Sequence, residues 1–268
     1  MSTPRVSIIV VTYQSAAVLP AFAAAYAADP ASAGHELICV DNASNDTPQG
    51  YMPQAHWISN PTNVGYGTAC NRGAAAATGD YVIFCNPDIL VTPDWVAPLI
   101  AHMAADPTIG AISPETRYPH EHRLPQAGCS DRATLPGAAL LLPRALWQRL
   151  GGFDEELFLY WEDTDLCWRI QLLGLRTVVA HDSVIVHQRN GSGGGSATWL
   201  HLYVQNGIYA HLKTQPWWRI IAFVARQLVA LPWRLLRTGD RRLLTAFGWN
   251  LDRFGATLRH RRTLLGRK

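Results

Sequence analysis

Short apolar runs alternate with Ala-rich stretches along the first part of the chain. Residues 5–13 form a near-continuous β-branched run, and the runs at 36–41 and 81–85 resemble it. Such runs are typical of strands buried on both faces of a parallel sheet. The Ala-rich stretches predict helices at 16–28, 67–78 and 95–105. This alternation predicts an α/β fold, with a mostly parallel sheet flanked by helices and a ligand at the carboxyl ends of the strands.

The pattern loosens after about residue 110. Loop and strand are predicted over 123–144, a helix over 162–173, and one or two strands over 175–188. The stretch GSGGGS at 191–196 predicts a flexible lid over a bound ligand, because Gly and Ser alone favour a mobile loop.

Residues 216–237 predict an amphipathic helix rather than a membrane span. Arg219 and Arg226 interrupt the apolar run and leave stretches shorter than the roughly 18–20 residues that a span needs. Five arginines fall within a sector of roughly 80° on this helix and just beyond it: Arg219, Arg226, Arg234, Arg237 and Arg241. Such a stripe is typical of a helix lying on an anionic bilayer. The alternative is a helix packed on the body with its arginines in water.

The charge of the chain is divided unevenly. Residues 213–268 contain 13 Lys and Arg against two acidic residues, whereas residues 1–212 contain 10 basic and 18 acidic residues. This asymmetry predicts two surfaces with different partners. We therefore expect a main domain at 1–212, divided into about 1–110 and about 111–212, and a basic amphipathic helical tail at 213–268. The tail is rich in apolar residues and contains no recognisable motif for nucleic-acid recognition, so no nucleic-acid partner is expected.

Cysteine usage and the start of the chain both indicate the cytoplasm. The five cysteines are scattered and form no CxxC pair, which favours free thiols in a reducing compartment. A strand begins almost at once within residues 1–12, without the basic segment and apolar stretch of a secretory signal. We therefore expect a cytoplasmic protein.

Polar residues follow three of the predicted strands. Thr12 and Tyr13 end the first strand, Asp41 begins a polar stretch at the end of the second, and residues 86–88 follow the strand at 81–85. Asp and Asn at such places often cap turns. Three polar ends along one edge of a parallel sheet instead favour a ligand site.

Residues 63–73, NVGYGTACNRG, form a glycine-rich segment that leads into a predicted helix. The segment lacks the GxGxxG spacing directly after the first strand that a dinucleotide site needs, and it lacks the P-loop lysine. Its glycines predict close approach of the backbone to a ligand, which the N-terminus of the helix at 67–78 would face.

An acidic cluster opens the helix predicted over 162–173. Glu162, Asp163 and Asp165 follow the aromatic-rich stretch LFLYW, in a chain with only 16% charged residues. One explanation is that acid at a helix start is stabilised by the helix dipole. The other is that one carboxylate accepts a proton from a substrate. Asp165 is expected to pair with Arg169, one turn further on.

Six segments follow one another in an order typical of one enzyme family: SIIVVTYQ, VDNASNDT, NVGYGTACNRG, CNPDI, GGFDEELFLYWEDTDLCWR and VIVHQRNGS. Over about residues 5–200 the chain resembles family 2 glycosyltransferases, most of all the bacterial rhamnosyltransferase-like branch that builds cell-surface polysaccharide. The resemblance implies a GT-A fold, in which a nucleotide-binding α/β half is joined to an acceptor-binding half. The tail would add a C-terminal helical extension to this fold.

The resemblance also implies a donor site. Thr12, Tyr13 and Asp41 match donor-nucleotide positions, with Asp41 accepting a hydrogen bond from the N3–H that uracil and thymine share. Four asparagine and glycine positions match residues near the nucleotide and diphosphate: Asn63, Gly65, Asn71 and Asn86. The expected donor is a dTDP or UDP sugar, with dTDP-rhamnose first.

A divalent metal, Mn2+ or Mg2+, is the implied cofactor. Asp88 matches the last acid of the family's DxD metal motif, whose first acid is replaced here by Asn86. One carboxylate and the donor diphosphate suffice for Mg2+, which keeps several waters. His187 matches a histidine near metal and diphosphate in related enzymes, and an imidazole ligand would favour Mn2+. The alternative for His187 is a hydrogen-bonded histidine at a strand end.

The family's inverting reaction places Asp163 as the base that accepts the acceptor's hydroxyl proton. Glu162 and Trp161 are then expected to orient the acceptor or the sugar. The acceptor would be a glycan or lipid-linked, with the tail on the anionic inner face of the cell membrane. Two alternatives remain, a UDP-hexose transferase and a catalytically silent nucleotide-sugar-binding protein. Asp163, Asp88 and His187 together argue against the silent protein, and Asn86 favours it.

Overall fold

A computed structural model describes residues 5–121, 126–188 and 199–266. The lid predicted at 191–196 lies outside them. Within the described residues nine strands form one sheet: β1 (Val6–Thr12), β2 (Glu36–Asp41), β3 (His56–Ser59), β4 (Tyr81–Cys85), β5 (Ile89–Val91), β6 (Ile109–Arg117), β7 (Cys129–Asp131), β8 (Ala139–Pro143) and β9 (Arg176–His187). The same residues contain eight α-helices: α1 (Leu19–Ala28), α2 (Tyr66–Ala76), α3 (Val96–Ala105), α4 (Arg144–Leu150), α5 (Glu162–Leu172), α6 (Leu200–Thr214), α7 (Trp217–Thr238) and α8 (Arg242–Leu265).

The sheet combines a parallel half with a mixed half. Its strands are ordered β3-β2-β1-β4-β8-β6-β9-β5, and β7 pairs with β9. Strands β1 to β4 pair in parallel, so the parallel pairing predicted for this part of the chain is confirmed. Strand β8 then runs antiparallel to both β4 and β6, while β6 and β9 are parallel. We refer below to β1–β4, with their connecting loops and α2, as the donor half.

Strand β1 lies inside the donor half, and all seven of its residues are buried. Ile8 and Val10 face the apolar core shared with α1 and α3. Ile9 and Val11 face the opposite core, shared with α2 and α5. Because side chains alternate between the two faces of a strand, a strand covered on both sides needs an unbroken apolar run. The β-branched run at 5–13 has this pattern and correctly predicts the strand.

The region predicted as one or two strands, 175–188, is the single 12-residue strand β9. Its register against β6 shifts between Pro114 and Glu115. On its other side β9 pairs first with β7 and then with β5. The pairing with β5 puts His187 opposite Ile89, the residue that follows Asp88. The register therefore brings the two predicted metal ligands together.

The C-terminal helices form a separate small core. The sequence patterns do not predict α6, and the boundary expected between residues 212 and 213 falls inside it. Ile208 of α6, Phe223 of α7 and Leu243 of α8 meet in this core. Gly239, with a φ of 66°, ends α7, so the region predicted as a helical tail contains two helices, α7 and α8. No helix of the described residues is long and apolar enough to cross a membrane.

Candidate active site

The ends of β1 and β2 meet as the sequence predicts. Thr12 and Asp41 are paired in the parallel register, and the Thr12 hydroxyl donates to Asp41 Oδ1 at 3.2 Å. The amide of Ser44 also donates to the Asp41 carboxylate, at 3.3 Å. Both Thr12 and Asp41 are buried, and Tyr13 follows them half-buried. Burial of an unpaired carboxylate is costly, so these donors stabilise Asp41 at the strand end.

Asn42, which the resemblance assigned no role, fastens the glycine-rich segment to this strand end. Its side-chain amide donates to Asn63 Oδ1 at 3.0 Å and to the carbonyl oxygen of Gly65 at 3.2 Å. Its own Oδ1 accepts from the Asn60 side chain at 2.9 Å. The predicted donor residues Asn63 and Gly65 are therefore held directly beside the end of β2.

Gly65 adjoins the chain segment that precedes α5. Its φ is 86°, and a Cβ at this position would lie 2.4 Å from the carbonyl oxygen of Phe158. Only glycine fits this close approach. The amide of Tyr66, at the start of α2, donates to the same Phe158 oxygen at 3.0 Å. This helix-terminal amide is thus satisfied by the protein, and the presentation of this end of the helix to a ligand stays a prediction.

Asn71 joins the two halves of the molecule. Its side-chain amide donates to the carbonyl oxygen of Phe153 at 2.9 Å, and its Oδ1 accepts from the Phe153 amide at 2.8 Å. The amide also donates to Glu155 at 3.1 Å. The structure gives Asn71 this structural role, and its contact with a donor stays a prediction.

The carboxylate of Asp163 is oriented by two backbone amides. Oδ2 accepts from Gly137 at 2.9 Å, and Oδ1 accepts from Thr164 at 2.5 Å. The next residue, Ala138, accepts from the amide of Asn86 at 3.0 Å. Because Cα atoms of consecutive residues are about 3.8 Å apart, Asp163 and Asn86 contact neighbouring peptides of one short loop. The predicted base therefore lies beside the polar end of β4.

Gly137 is the main residue of this arrangement that the sequence analysis missed. Its carbonyl oxygen accepts from the Tyr66 hydroxyl at 3.2 Å, so α2 fixes the peptide whose neighbouring amide holds Asp163. A Cβ on Gly137 would lie 3.2 Å from Asp163 Oδ2. A lone glycine in a loop carries no signal that would reveal such a contact from sequence.

Glu162 and Asp163 differ in their surroundings. Glu162 is buried next to α2, and its Oε2 has no hydrogen-bond partner among the described residues. Burial, with the neighbouring Asp163 carboxylate, raises the pKa of Glu162 to about 8. Burial also raises the pKa of Asp163, against the lowering effect of its amide donors. A carboxylate with a raised pKa is a stronger proton acceptor, which suits a general base.

Trp161 packs towards the C-terminal helices. Its ring lies 5.2 Å from those of Tyr203 and His211 and 5.3 Å from Phe223, centroid to centroid. Its indole nitrogen donates to the carbonyl oxygen of Tyr203 at 2.9 Å. Trp161 has a φ of 74°, a conformation that costs energy outside glycine and that this packing maintains. An acceptor contact of Trp161 stays a prediction.

An ion cluster with a completely buried lysine anchors α5 on the side of this helix that faces away from Asp163. The predicted pair of Asp165 and Arg169 is confirmed, at 2.7 Å. Lys213 of α6, which the sequence analysis did not single out, lies 2.6 Å from Asp165 and also pairs with Asp154. Burial alone would raise the pKa of Asp154, but the Lys213 ammonium holds it below its ordinary value.

Asp88 and His187 form the candidate metal centre. Asp88 Oδ1 lies 3.1 Å from His187 Nε2, and Asp88 is almost fully buried. In the structure the two atoms are hydrogen-bonded, as in the alternative stated for His187. The same spacing also fits neighbouring ligands of one octahedral ion with bonds of about 2.1 Å, so the metal role stays a prediction. The described residues contain no group of three or more His, Cys, Asp or Glu side chains suited to a metal. The remaining ligands would have to come from diphosphate and water.

A family model described as glycosyl transferase family 2 matches residues 7–173, more than half of the chain. The chain belongs to glycosyltransferase family 2. It is therefore a glycosyltransferase.

Two curated relatives come from Mycobacterium tuberculosis. The chain is 28% identical over 235 residues to N-acetylglucosaminyl-diphospho-decaprenol L-rhamnosyltransferase, with 68% of this chain and 76% of the relative covered. It is 29% identical over 179 residues to pre-mycofactocin glycosyltransferase, with 56% of this chain and 38% of that relative covered. The similarity to the first of these relatives confirms that the chain resembles the rhamnosyltransferase-like branch of the family.

Solved structures of glycosyltransferases share the fold. A mannosyltransferase from Pyrobaculum calidifontis, described in complex with GDP-Man and Mn2+, matches with a TM-score of 0.65 and 21% identity, over 99% of this chain and 84% of the other. GalNAc-T7, described with UDP, GalNAc and Mn2+, matches with a TM-score of 0.64 and 15% identity, over 78% of this chain. This chain spans 48% of the GalNAc-T7 chain. The fold is the expected GT-A fold.

Proposed function

We propose that the protein is an inverting, metal-dependent glycosyltransferase that moves rhamnose from dTDP-rhamnose to a hydroxyl of a lipid-linked or polysaccharide acceptor. One observation carries the proposal: the Asp163 carboxylate, held by two backbone amides, lies beside the polar end of β4. The relative named as a rhamnosyltransferase supports the choice of sugar, and its diphospho-decaprenol acceptor supports a lipid-linked substrate.

The donor nucleotide would bind at the ends of β1 and β2. Asp41, positioned by Thr12, would accept the N3–H of thymine or uracil through its free lone pairs. Tyr13 would lie against the nucleotide, and the segment of Asn63 and Gly65 would face the ribose and diphosphate. Uracil carries the same N3–H as thymine, and this favours a UDP-hexose as the second candidate donor. Similar solved structures are described with UDP and UDP-GlcNAc.

Asp163 would act as the general base of a single displacement. A lone pair of the acceptor oxygen forms a bond to the anomeric carbon while the bond from that carbon to the diphosphate oxygen breaks. The hydroxyl proton passes to the Asp163 carboxylate, and the nucleoside diphosphate leaves with the bonding electrons. Attack from the face opposite the leaving group inverts the anomeric configuration.

Glu162 would set the charge state of this pair. Its pKa of about 8 keeps it mainly protonated at neutral pH. Two ionised carboxylates side by side repel each other, so a neutral Glu162 favours an ionised Asp163 that is able to accept a proton. Glu162, together with Trp161, is also proposed to orient the acceptor or the sugar.

Asp88 and His187 would hold Mn2+ or Mg2+ against the donor diphosphate. A bound divalent cation supplies positive charge that stabilises the leaving diphosphate. The imidazole nitrogen favours Mn2+ over Mg2+. Asn86, in place of the first motif acid, would contribute a neutral side chain near the diphosphate. The protein is further proposed to work at the cytoplasmic face of the cell membrane, where a lipid-linked acceptor would be available.

The test is a transfer assay with purified full-length protein, a polyprenyl-diphospho-GlcNAc acceptor, and dTDP-rhamnose or UDP sugars. Rhamnose transfer with release of dTDP is expected in Mn2+ or Mg2+ and not in EDTA. The product should have the opposite anomeric configuration to the donor, measured by nuclear magnetic resonance. Faster transfer from a UDP-hexose than from dTDP-rhamnose would show that the donor is a UDP-hexose. Binding of a pyrimidine diphosphate in calorimetry without any sugar transfer would favour the catalytically silent nucleotide-sugar-binding protein. Failure of every pyrimidine diphosphate to bind would contradict the proposed donor site.

A further inference from the structure

Helix α7 has three distinct faces. Ile220, Phe223 and Gln227 are buried on the face that packs towards α6 and α8. A second face, spanning about 160° at 100° per residue, carries only apolar side chains, most of them exposed. Its large side chains include Trp218, Ile221, Leu228, Val229, Trp233 and Leu236. We call this second face the apolar face of α7.

The exposure of this face is large for a protein surface. Val229 is 82% exposed and Leu236 is 88% exposed, and both tryptophans named above are more than half exposed. A contiguous apolar surface of this kind marks a site of interaction, because burying it removes apolar area from water. The helix has 22 residues and is therefore about 33 Å long, enough to lie along a surface over several lipid headgroups.

Three arginines border one edge of the apolar face. Arg219, Arg226 and Arg237 are exposed. The guanidinium of Arg219 lies 5.0 Å from the ring of Trp218, and that of Arg237 lies 5.0 Å from the ring of Trp233. Arginines are thus placed directly at the boundary between apolar and charged surface.

The stripe of five arginines expected from the sequence is corrected to these three. Arg234 is half-buried and donates to Gln227 at 2.6 Å, so it points towards the body of the protein. Arg241 lies beyond the end of α7. The sequence periodicity groups all five because it does not show where the helix ends or which side is covered.

We propose that α7 lies in the plane of an anionic lipid bilayer, with its apolar face among the acyl chains and the three arginines at the headgroup phosphates. The positive charges of α7 favour an anionic bilayer as the partner of this face. Helix α7 contains no acidic residue, so a second copy of α7 offers no counter-charge to the arginines. An anionic bilayer offers hydrocarbon and phosphate together, and tryptophan and arginine side chains favour the boundary between them.

The contact would place the catalytic helix close to the membrane. Phe223, on the buried face of α7, stacks edge-on against Trp161, which immediately precedes α5. One layer of side chains therefore separates the lipid-facing helix from the start of α5. This proposal deepens the proposed function, because it assigns to named residues the contact that a lipid-linked acceptor requires.

The experiment is co-sedimentation of the full-length protein with vesicles of phosphatidylcholine alone or with one third phosphatidylglycerol, at about 0.15 M salt. Wild type should bind the anionic vesicles at least tenfold more tightly than the neutral ones. The triple variant Ile221→Ser, Val229→Ser, Leu236→Ser should lose at least tenfold in affinity, and Arg219→Gln with Arg226→Gln and Arg237→Gln should lose the preference for anionic vesicles. The control, Leu251→Ser on α8, changes an equally exposed apolar residue and should bind like wild type.

Binding of dTDP with Mn2+, measured on each variant, separates this proposal from the proposed function. Retained nucleotide binding with lost vesicle binding is the expected result for the triple serine variant. Equal vesicle binding by wild type and that variant would overturn the proposal, as would absence of wild-type binding to anionic vesicles. A wild-type dimer in light scattering that the serine substitutions dissociate, without vesicle binding, would assign the face to a second copy.

Discussion

The donor half and the C-terminal helices differ in which residues depart from the usual pattern of burial. In the donor half, polar groups are buried and paired: Asp41 with Thr12, and Asn42 with the loop of Asn63 and Gly65. In α7, large apolar side chains remain exposed. Buried polar groups are costly unless they are hydrogen-bonded, and exposed apolar groups are costly unless they are covered. The first region is where we propose that a nucleotide binds, and the second is where we propose that a bilayer binds.

Helix α5 connects these two regions. Towards the donor half, Asp163 is held by Gly137, whose position depends on Tyr66 of α2. Towards the C-terminal helices, Asp165 is held by Lys213 of α6. The helix that carries the proposed base is thus fixed from both sides, and its position depends on residues that the sequence analysis assigned to two different domains.

The largest expected effect on stability concerns this connection. Lys213→Met would leave Asp154 without its buried cation and Asp165 with Arg169 alone. Breaking a buried ion pair from one side costs about 3–5 kcal/mol. We expect a loss of this size in the free energy of unfolding, measured by urea denaturation. Arg237→Met, which removes an exposed cation from α7, should change it by less than about 1 kcal/mol. Equal effects of the two substitutions would contradict the proposed role of Lys213.

A smaller effect is expected at the candidate metal centre. Asp88→Asn should weaken the binding of dTDP in Mn2+ by about tenfold, or about 1.4 kcal/mol, and leave the binding in EDTA unchanged. Calorimetric titration measures both. Asp182→Asn is the matched control, since Asp182 also lies 3.0 Å from a histidine, His102, but at the exposed surface of α3 and β9. Loss of metal-dependent binding in both variants would show that the effect is not specific to Asp88.

The smallest effect is a dependence of stability on pH. The pKa of Glu162 is raised from an ordinary value of 4.5 to about 8 in the folded protein, so between these values the folded protein binds one proton more than the unfolded chain. Stability should therefore fall as pH rises through this range. Glu162→Gln should remove about 1 kcal/mol of that fall between pH 7 and pH 8. Thermal unfolding across this range should show no such change for Glu156→Gln, on the exposed surface.

The donor half could be predicted from sequence because its signals are local. The apolar run of β1 and the polar residues that follow it lie next to each other in the chain, and parallel pairing brings Thr12 and Asp41 to one edge. The pairing of Asp165 with Arg169 follows from helical spacing in the same way. These predictions need no knowledge of what the elements pack against.

The C-terminal helices could not be predicted in the same detail. Apolar residues surround much of α7, and periodicity does not distinguish Phe223, which is buried, from Val229, which is exposed. In the sequence, Lys213 is the first positive charge of the predicted basic tail. In the structure its ammonium is completely buried and pairs with two aspartates from earlier in the chain. The packing of the Trp161 ring against α6 and α7 is not predicted either, while its expected contact with the acceptor or the sugar stays a prediction. Each of these depends on a long-range contact that leaves no pattern in the neighbouring sequence.

The most direct test of the account is a comparison of donor binding and sugar transfer in Asp163→Asn. The amide keeps the shape of the side chain but is unable to accept the hydroxyl proton. Loss of a general base costs roughly 100- to 10,000-fold in rate. We predict a fall of this size in the turnover of dTDP-rhamnose, with the affinity for dTDP in Mn2+ changed by less than about twofold. Turnover within tenfold of wild type would show that Asp163 is not the base.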